Sequence, residues 1–164
     1  MTKGEGGMIE GPSGTGKSSL IRSALHELGS GVVLSAPAGD ELASYEVFKD
    51  NELIQMHAME SIKDSRSWLQ ERLLENGEHL KQHGEPLYKV LAYDTGSGMD
   101  QIMRHALLDN KGLDFPPKAR SEDGAYYYQG IQTLWERYLR LGRAFREQGT
   151  HWLLTCHTKK KPGS

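Results

Sequence analysis

Apolar residues along the chain form two alternating patterns: short continuous runs, and longer stretches in which they recur every three to four positions. The short runs predict five β-strands, at residues 7–10, 31–36, 53–58, 88–94 and 151–157. The second, fourth and fifth runs are almost continuously apolar, which is typical of central parallel strands covered on both faces. The third run is weaker, so we expect it at an edge of the sheet.

The longer stretches predict helices after residue 18 and over residues 61–83, 99–108 and 121–148. The last of these is the clearest, with apolar positions alternating by four and three and with Gly149 as a helix stop. Residues 110–120 contain a Pro-Pro pair and are predicted to be a loop. Strands that alternate with helices indicate an α/β fold with a mainly parallel sheet.

Composition narrows the class of protein further. The chain has 164 residues, which suits one domain over 1–164, and 37% of them are hydrophobic. The net charge of −2 gives no global basic field, so a nucleic acid would have to bind a local patch. The single cysteine excludes internal disulfides, and no apolar run approaches membrane-spanning length. We therefore expect a cytoplasmic protein with no membrane partner.

A phosphate-binding loop stands between the first predicted strand and the first predicted helix. Residues 11–18 match the pattern G-x-x-x-x-G-K-[ST] in full, and the order strand, glycine loop, helix gives a phosphate both aimed backbone amides and a helix N-terminus. In such a loop the lysine reaches the β- and γ-phosphates and the serine hydroxyl binds Mg²⁺. The predicted nucleotide-binding residues are Gly11, Pro12, Ser13, Gly14, Thr15, Gly16, Lys17, Ser18 and Ser19.

The carboxyl ends of two later strands carry further candidate residues. Asp94 ends the apolar run 90–94, where a carboxylate can hold Mg²⁺ together with Ser18, although the Asp-Thr-Gly-Ser-Gly segment is also good turn chemistry. The last strand ends at His157. If that strand lies between the loop strand and the Asp94 strand, His157 points toward the γ-phosphate and can sense it. Cys156 is interpreted as a small buried hydrophobe.

These residues together resemble the RecA-like ATPase core, and most of all the small phage-type members linked to single-strand annealing and recombination. The resemblance covers residues 7 to about 161. It implies a three-layer α/β/α fold, bound ATP and Mg²⁺, and ATP hydrolysis coupled to single-stranded DNA in recombination or replication. It also implies a homo-oligomer with ATP at the subunit interface and, for a phage-encoded protein, the host cytoplasm.

The sequence departs from the family pattern in two places. RecA-like proteins place a water-orienting glutamate just after the second strand, and here that position falls near Pro37, so Glu41 is the candidate base. The family core also continues beyond the last strand, so we expect either a C-terminally truncated sheet or a sheet that is closed in some other way. The lysine triplet 159–161 is either the start of a DNA-contacting loop or an ordinary basic tail.

Other groups have less specific patterns. Three successive tyrosines at 126–128 could stack on bases. His79 and His83 have the i, i+4 spacing of two metal ligands on a helix. Arginines line the long helix, and one of them could act on the nucleotide of a neighbouring subunit. We expect core packing for Tyr127 and for at least one of its two neighbours, and solvated side chains for the histidines and arginines. Two further functions stay open: a small-molecule or nucleotide kinase, and a nucleotide-dependent switch with little hydrolysis. A packaging or helicase motor would share the same core.

Overall fold

A computed structural model of the chain describes residues 2–12, 16–36 and 42–158. All five predicted strands are present, within two residues of the predicted limits at each end. They are β1 (Gly6–Gly11), β2 (Gly31–Ser35), β3 (Ile54–Ala58), β4 (Val90–Asp94) and β5 (His151–His157). The predicted helices are present as α1 (Lys17–Leu28), α2 (Ile62–His83), α3 (Gly96–Lys111) and α4 (Glu122–Glu147).

The five strands form one parallel sheet in the order β1-β5-β4-β2-β3. The strands with nearly continuous apolar runs, β2, β4 and β5, are therefore central, and β3 is at an edge, as the pattern predicted. Every residue of β2 and β4 is buried, because helices cover both faces of the sheet there. The order also brings the carboxyl ends of β1, β5 and β4 side by side.

Side chains that alternate along the central strands pack into two separate cores. On one face, Val33 and Ala92 pack with Ile21 and Leu25 of α1. On the other face, the strands pack against helices α2, α3 and α4, and this larger core includes the fully buried Tyr138 of α4. The layers therefore run helix, sheet, helix, which confirms the predicted α/β architecture.

Local ends differ from the prediction in three places. A 3-10 helix, η1 (Leu42–Phe48), follows β2 and is not among the predicted helices. Helix α3 begins at Gly96, three residues early, because the Thr95 side chain accepts a hydrogen bond from the Gly98 N–H and caps the helix. The predicted loop 110–120 is shorter at its start, since α3 runs through Lys111.

Candidate nucleotide and metal site

The phosphate-binding loop joins β1 to α1 directly. Gly16 stands at the N-cap of α1 with φ of 86°, a left-handed conformation that only glycine adopts without strain. No side chain caps the first turn of α1, and that turn carries no acidic residue. A helix N-terminus with no side-chain cap and no acidic residue is the arrangement that phosphates favour. Ser13, Gly14 and Thr15 lie outside the described residues.

Lys17 is the first residue of α1 and is 7% exposed. Its Nζ donates hydrogen bonds to the carbonyl oxygens of Gly11, at 2.8 Å, and Pro12, at 2.7 Å. The ammonium group is therefore held over the loop by that loop's own backbone. An ammonium in this position can transfer its hydrogen bonds to phosphate oxygens with only a small movement of a flexible stem.

Asp94 is the centre of a buried hydrogen-bond network at the end of β4. Its Oδ2 accepts hydrogen bonds from the Ser18 hydroxyl, at 2.7 Å, and from the Tyr45 hydroxyl, at 2.5 Å. Its Oδ1 accepts one from the Thr155 hydroxyl, at 2.6 Å. The Asp94 side chain is fully buried. Three hydroxyl donors replace the water that burial removes, so the carboxylate has fixed partners and a fixed orientation.

The Ser18 hydroxyl and the Asp94 carboxylate fit a magnesium ion by their chemistry. Both offer hard oxygen atoms, and the hydrogen bond between them holds those atoms 2.7 Å apart. Among the described residues, no cluster of three or more histidine, cysteine, aspartate or glutamate side chains could hold a metal ion unaided. A site with one carboxylate and one hydroxyl suits Mg²⁺, which completes its coordination with water and substrate phosphates.

Tyr45 is a residue of this site that the sequence analysis missed. It lies in η1, between β2 and β3, and its ring is fully buried. Burial raises the pKa of its hydroxyl well above the ordinary value, and the charge of Asp94 raises it further. The group therefore stays a hydrogen-bond donor at neutral pH. The only local signal was the pair Tyr45 and Phe48, three positions apart, which both face the core.

His157 ends β5, the strand between β1 and β4, which meets the condition set for its predicted position. It pairs in register with Gly11 of the phosphate-binding loop. The His157 backbone N–H donates to the Ser97 hydroxyl at 2.9 Å, and the Thr158 N–H donates to the Gly11 carbonyl at 3.0 Å. The end of β5 is thus bonded both to the loop and to the first turn of α3.

A cavity of about 640 Å³ opens beside His157, between α3, α4 and the β1 edge of the sheet. Its wall is mostly apolar, with polar side chains at the end near the loop. The lining includes Met8, Trp135, Leu139, Leu154, Ser97 and His157. Cys156 also lines it and is half-buried, not the buried hydrophobe that was expected, and burial raises the pKa of its thiol.

Several weaker candidates occupy ordinary structural positions. Tyr127 is 1% exposed in the contact between α3 and α4, as predicted for a core residue, whereas Tyr126 is half-buried and Tyr128 is exposed, so the expected burial of a second tyrosine is wrong. The rings of His79 and His83 lie 4.3 Å apart, and His79 Nδ1 contacts the Glu85 carbonyl. Arg143 pairs with the carboxylate of Glu136 on the same helix. Glu41, the candidate base, and the lysine triplet 159–161 lie outside the described residues.

No helix of the described residues is long and apolar enough to cross a membrane. No protein-family model matches the sequence, and no curated protein matches it. Among solved structures, the chain is similar to a KaiC-like protein of the hyperthermophilic archaeon Pyrococcus horikoshii, with 17% sequence identity and a TM-score of 0.50. That similarity covers 97% of this chain and 63% of the other, so the chain spans less than two thirds of its neighbour. The chain therefore shares the α/β fold of that KaiC-like protein.

Proposed function

We propose that the chain binds ATP with Mg²⁺ and hydrolyses it, acting as one domain over residues 1–164. The observation that carries the proposal is the hydrogen bond between the Ser18 hydroxyl and Asp94 Oδ2, at 2.7 Å, across 76 positions of sequence. This contact joins a complete phosphate-binding loop to the buried carboxylate at the end of β4, which is separated from β1 in the sheet by β5. That combination of groups is what Mg²⁺ and a nucleotide triphosphate require.

Each group has a distinct role in this proposal. The loop amides from Gly11 to Ser19 bind the phosphates, and Lys17 moves from the backbone carbonyls to the β- and γ-phosphate oxygens. Ser18 and Asp94 hold the metal ion. When bound, Mg²⁺ would neutralise negative charge that develops on the phosphate oxygens during transfer.

The remaining roles complete hydrolysis. Water attacks the γ-phosphorus, ADP leaves, and Glu41 is proposed to orient that water. His157 is proposed to sense the γ-phosphate. Its N–H bond to Ser97 and the neighbouring Thr158–Gly11 bond support a link from the loop to α3.

The proposed partner is single-stranded DNA, in recombination or replication of phage DNA, with the chain as a homo-oligomer and ATP at the subunit interface. The lysine triplet 159–161 supports contact with a phosphate backbone, because it follows directly after the strand that carries His157. DNA bound there would influence the nucleotide site through the end of β5. The proposed location of the protein is the cytoplasm.

Phosphate release from ATP, with and without single-stranded DNA, tests this function. We expect DNA to raise the rate in the wild type and in Lys63→Ala, a surface control on α2, and to have no effect in Lys17→Ala. An equally fast rate in Lys17→Ala would place the hydrolysis in another site or another protein. A near-zero rate in all three, despite tight ATP binding, would favour a nucleotide-dependent switch.

A kinase is the second candidate, and the cavity beside His157 favours it. A space of about 640 Å³ with apolar walls and a polar end near the loop is large enough for a small acceptor molecule. A kinase would release little phosphate in the absence of acceptor and would be indifferent to DNA. Screening small hydroxyl-bearing acceptors for ADP formation distinguishes it from the DNA-dependent ATPase.

A further inference from the structure

Tyr45 reaches the metal site from outside the two motifs that define it. Its hydroxyl donates to Asp94 Oδ2 at 2.5 Å, and both side chains are fully buried. The same oxygen atom of Asp94 also accepts the Ser18 hydrogen bond. Two donors from different segments therefore converge on one carboxylate oxygen.

The two donors differ in what else they must do. In the proposed function, on which this inference rests, the Ser18 oxygen binds the metal ion, so its orientation depends on that ion. The Tyr45 hydroxyl is not a proposed metal ligand, and it keeps its bond to Oδ2. Thr155 does the same for Oδ1. The carboxylate would thus keep one fixed donor on each oxygen atom through the binding cycle.

The backbone of Tyr45 is fixed to the helix that carries the loop's lysine and serine. Arg22 of α1 donates through Nη1 to the Ser44 carbonyl, at 3.2 Å, and through Nη2 to the Ser19 hydroxyl, at 2.8 Å. The ring of Tyr45 packs in the apolar cluster that also contains Ile21. These contacts set the distance from Tyr45 to the phosphate-binding loop, which a positioning residue requires.

We propose that Tyr45 is a positioning residue of the magnesium site: its hydroxyl holds Asp94 in the orientation that serves the metal ion together with Ser18. Segment η1 thereby becomes a third component of the site, besides the phosphate-binding loop and the end of β4. Removing the hydroxyl leaves Ser18, among the described residues, as the hydrogen-bond donor to Oδ2, and Ser18 also has to serve the metal. The metal ion and the buried Asp94 carboxylate then compete for the Ser18 hydroxyl, which weakens magnesium binding.

Tyr45→Phe tests the proposal, because it removes one oxygen atom and keeps the ring. The affinity for ATP is measured by calorimetry with Mg²⁺ and again with EDTA, and the ratio of the two constants is the gain due to magnesium. We expect Tyr45→Phe to reduce this gain about tenfold, the size of a lost hydrogen bond to a charged group, and to change the affinity in EDTA by less than about twofold.

Tyr138→Phe is the matched control. Its ring is also fully buried, but its hydroxyl contacts the Ser65 hydroxyl at 2.6 Å, on the far side of the sheet from η1. We expect this variant to lower the melting temperature and to leave the magnesium gain unchanged. If a general loss of core stability reduced the magnesium gain, it would reduce it in both variants. The loss of a positioning contact reduces the gain only in Tyr45→Phe.

Three outcomes would overturn the proposal. An unchanged or larger magnesium gain in Tyr45→Phe would show that Asp94 needs no support from Tyr45. An equal loss of affinity in Mg²⁺ and in EDTA would assign Tyr45 a structural role. A wild type that binds no ATP would remove the proposed function and this inference together. If Tyr45→Phe does not fold, Arg22→Ala loosens the same segment, and an unchanged gain there would also contradict the proposal.

Discussion

Asn76 connects three elements in the interior, and its removal gives the sharpest stability prediction. The side chain is fully buried in α2. Its Nδ2 donates to Gln148 Oε1, at 2.7 Å, and to the Thr150 hydroxyl, at 3.0 Å, while its Oδ1 accepts from the Tyr88 N–H at 2.8 Å. One amide therefore ties α2 to the residues that lead into β4 and β5.

We expect Asn76→Ala to lower the free energy of unfolding by about 3 kcal/mol. The buried Tyr88 N–H loses its acceptor, which alone costs about 1–3 kcal/mol. The two lost Nδ2 bonds and the small cavity add about 1 kcal/mol or more. The Thr150 hydroxyl keeps its bond to the Tyr88 carbonyl at 2.7 Å, which limits the total.

Urea unfolding followed by tryptophan fluorescence measures this change. Gln70→Ala is the control, because it removes an amide from an exposed position of the same helix and should change stability by less than about 0.5 kcal/mol. At about 2–4 °C per kcal/mol, Asn76→Ala should also melt roughly 6–12 °C lower. If the two variants unfold at the same urea concentration, the argument that this network holds α2 to the sheet is refuted.

Two further predictions concern the core. Gly142→Ala should destabilise the chain by about 1–2 kcal/mol in urea, because an added Cβ would lie 2.4 Å from Trp152 Cε2. The gain in helix propensity offsets only part of this strain. Equal or higher stability of the variant would contradict this packing. Burial raises the pKa of Tyr93 above its ordinary value of 10.0, so the folded state keeps a proton that the unfolded state loses. The contribution of Tyr93 to the free energy of unfolding is complete below pH 10 and should fall by about 1.4 kcal/mol per pH unit above it. In Tyr93→Phe, the stability measured in urea from pH 9 to 11 should therefore fall less steeply with pH.

Strand positions could be predicted because burial leaves a local record in the sequence. The apolar runs of β2 and β4 reflect helices on both faces, and all residues of both strands are buried. The stripe of α4 is equally direct, since its predicted core positions Tyr127, Tyr138 and Phe145 are at most 1% exposed. The weak run of β3 correctly indicated an edge strand.

The start of α3 could not be predicted, because it depends on contacts distant in sequence. Gly96 and Gly98 look like turn residues, yet they allow close approach of a helix to the sheet. A Cβ at Gly98 would lie 2.9 Å from the Ala36 carbonyl oxygen, and one at Gly96 would lie 3.0 Å from the Thr155 carbonyl oxygen. A local pattern cannot distinguish a glycine needed for a turn from one needed for packing.

The site itself was predicted in part. The motif at 11–18 and the strand end at Asp94 are local patterns in the sequence. Their pairing through Ser18 was expected from knowledge of the fold, and the two side chains are in contact. Tyr45 was missed because its role comes from a hydrogen bond across 49 positions, and no periodicity marks a short 3-10 helix. The roles of Lys17, Ser18, Asp94, His157 and Glu41 stay predictions.

Calorimetric titration of ATP with Mg²⁺ into the wild type and Lys17→Ala tests the central claim most directly. Lys63→Ala serves as the control, since it removes an equal charge from an exposed position of α2. We expect one ATP per chain to bind in the wild type and the control, and at least about tenfold weaker binding in Lys17→Ala, the cost of a lost charged contact to phosphate. Equal affinity in all three proteins would contradict the assignment of residues 11–18 and Asp94 as the nucleotide site.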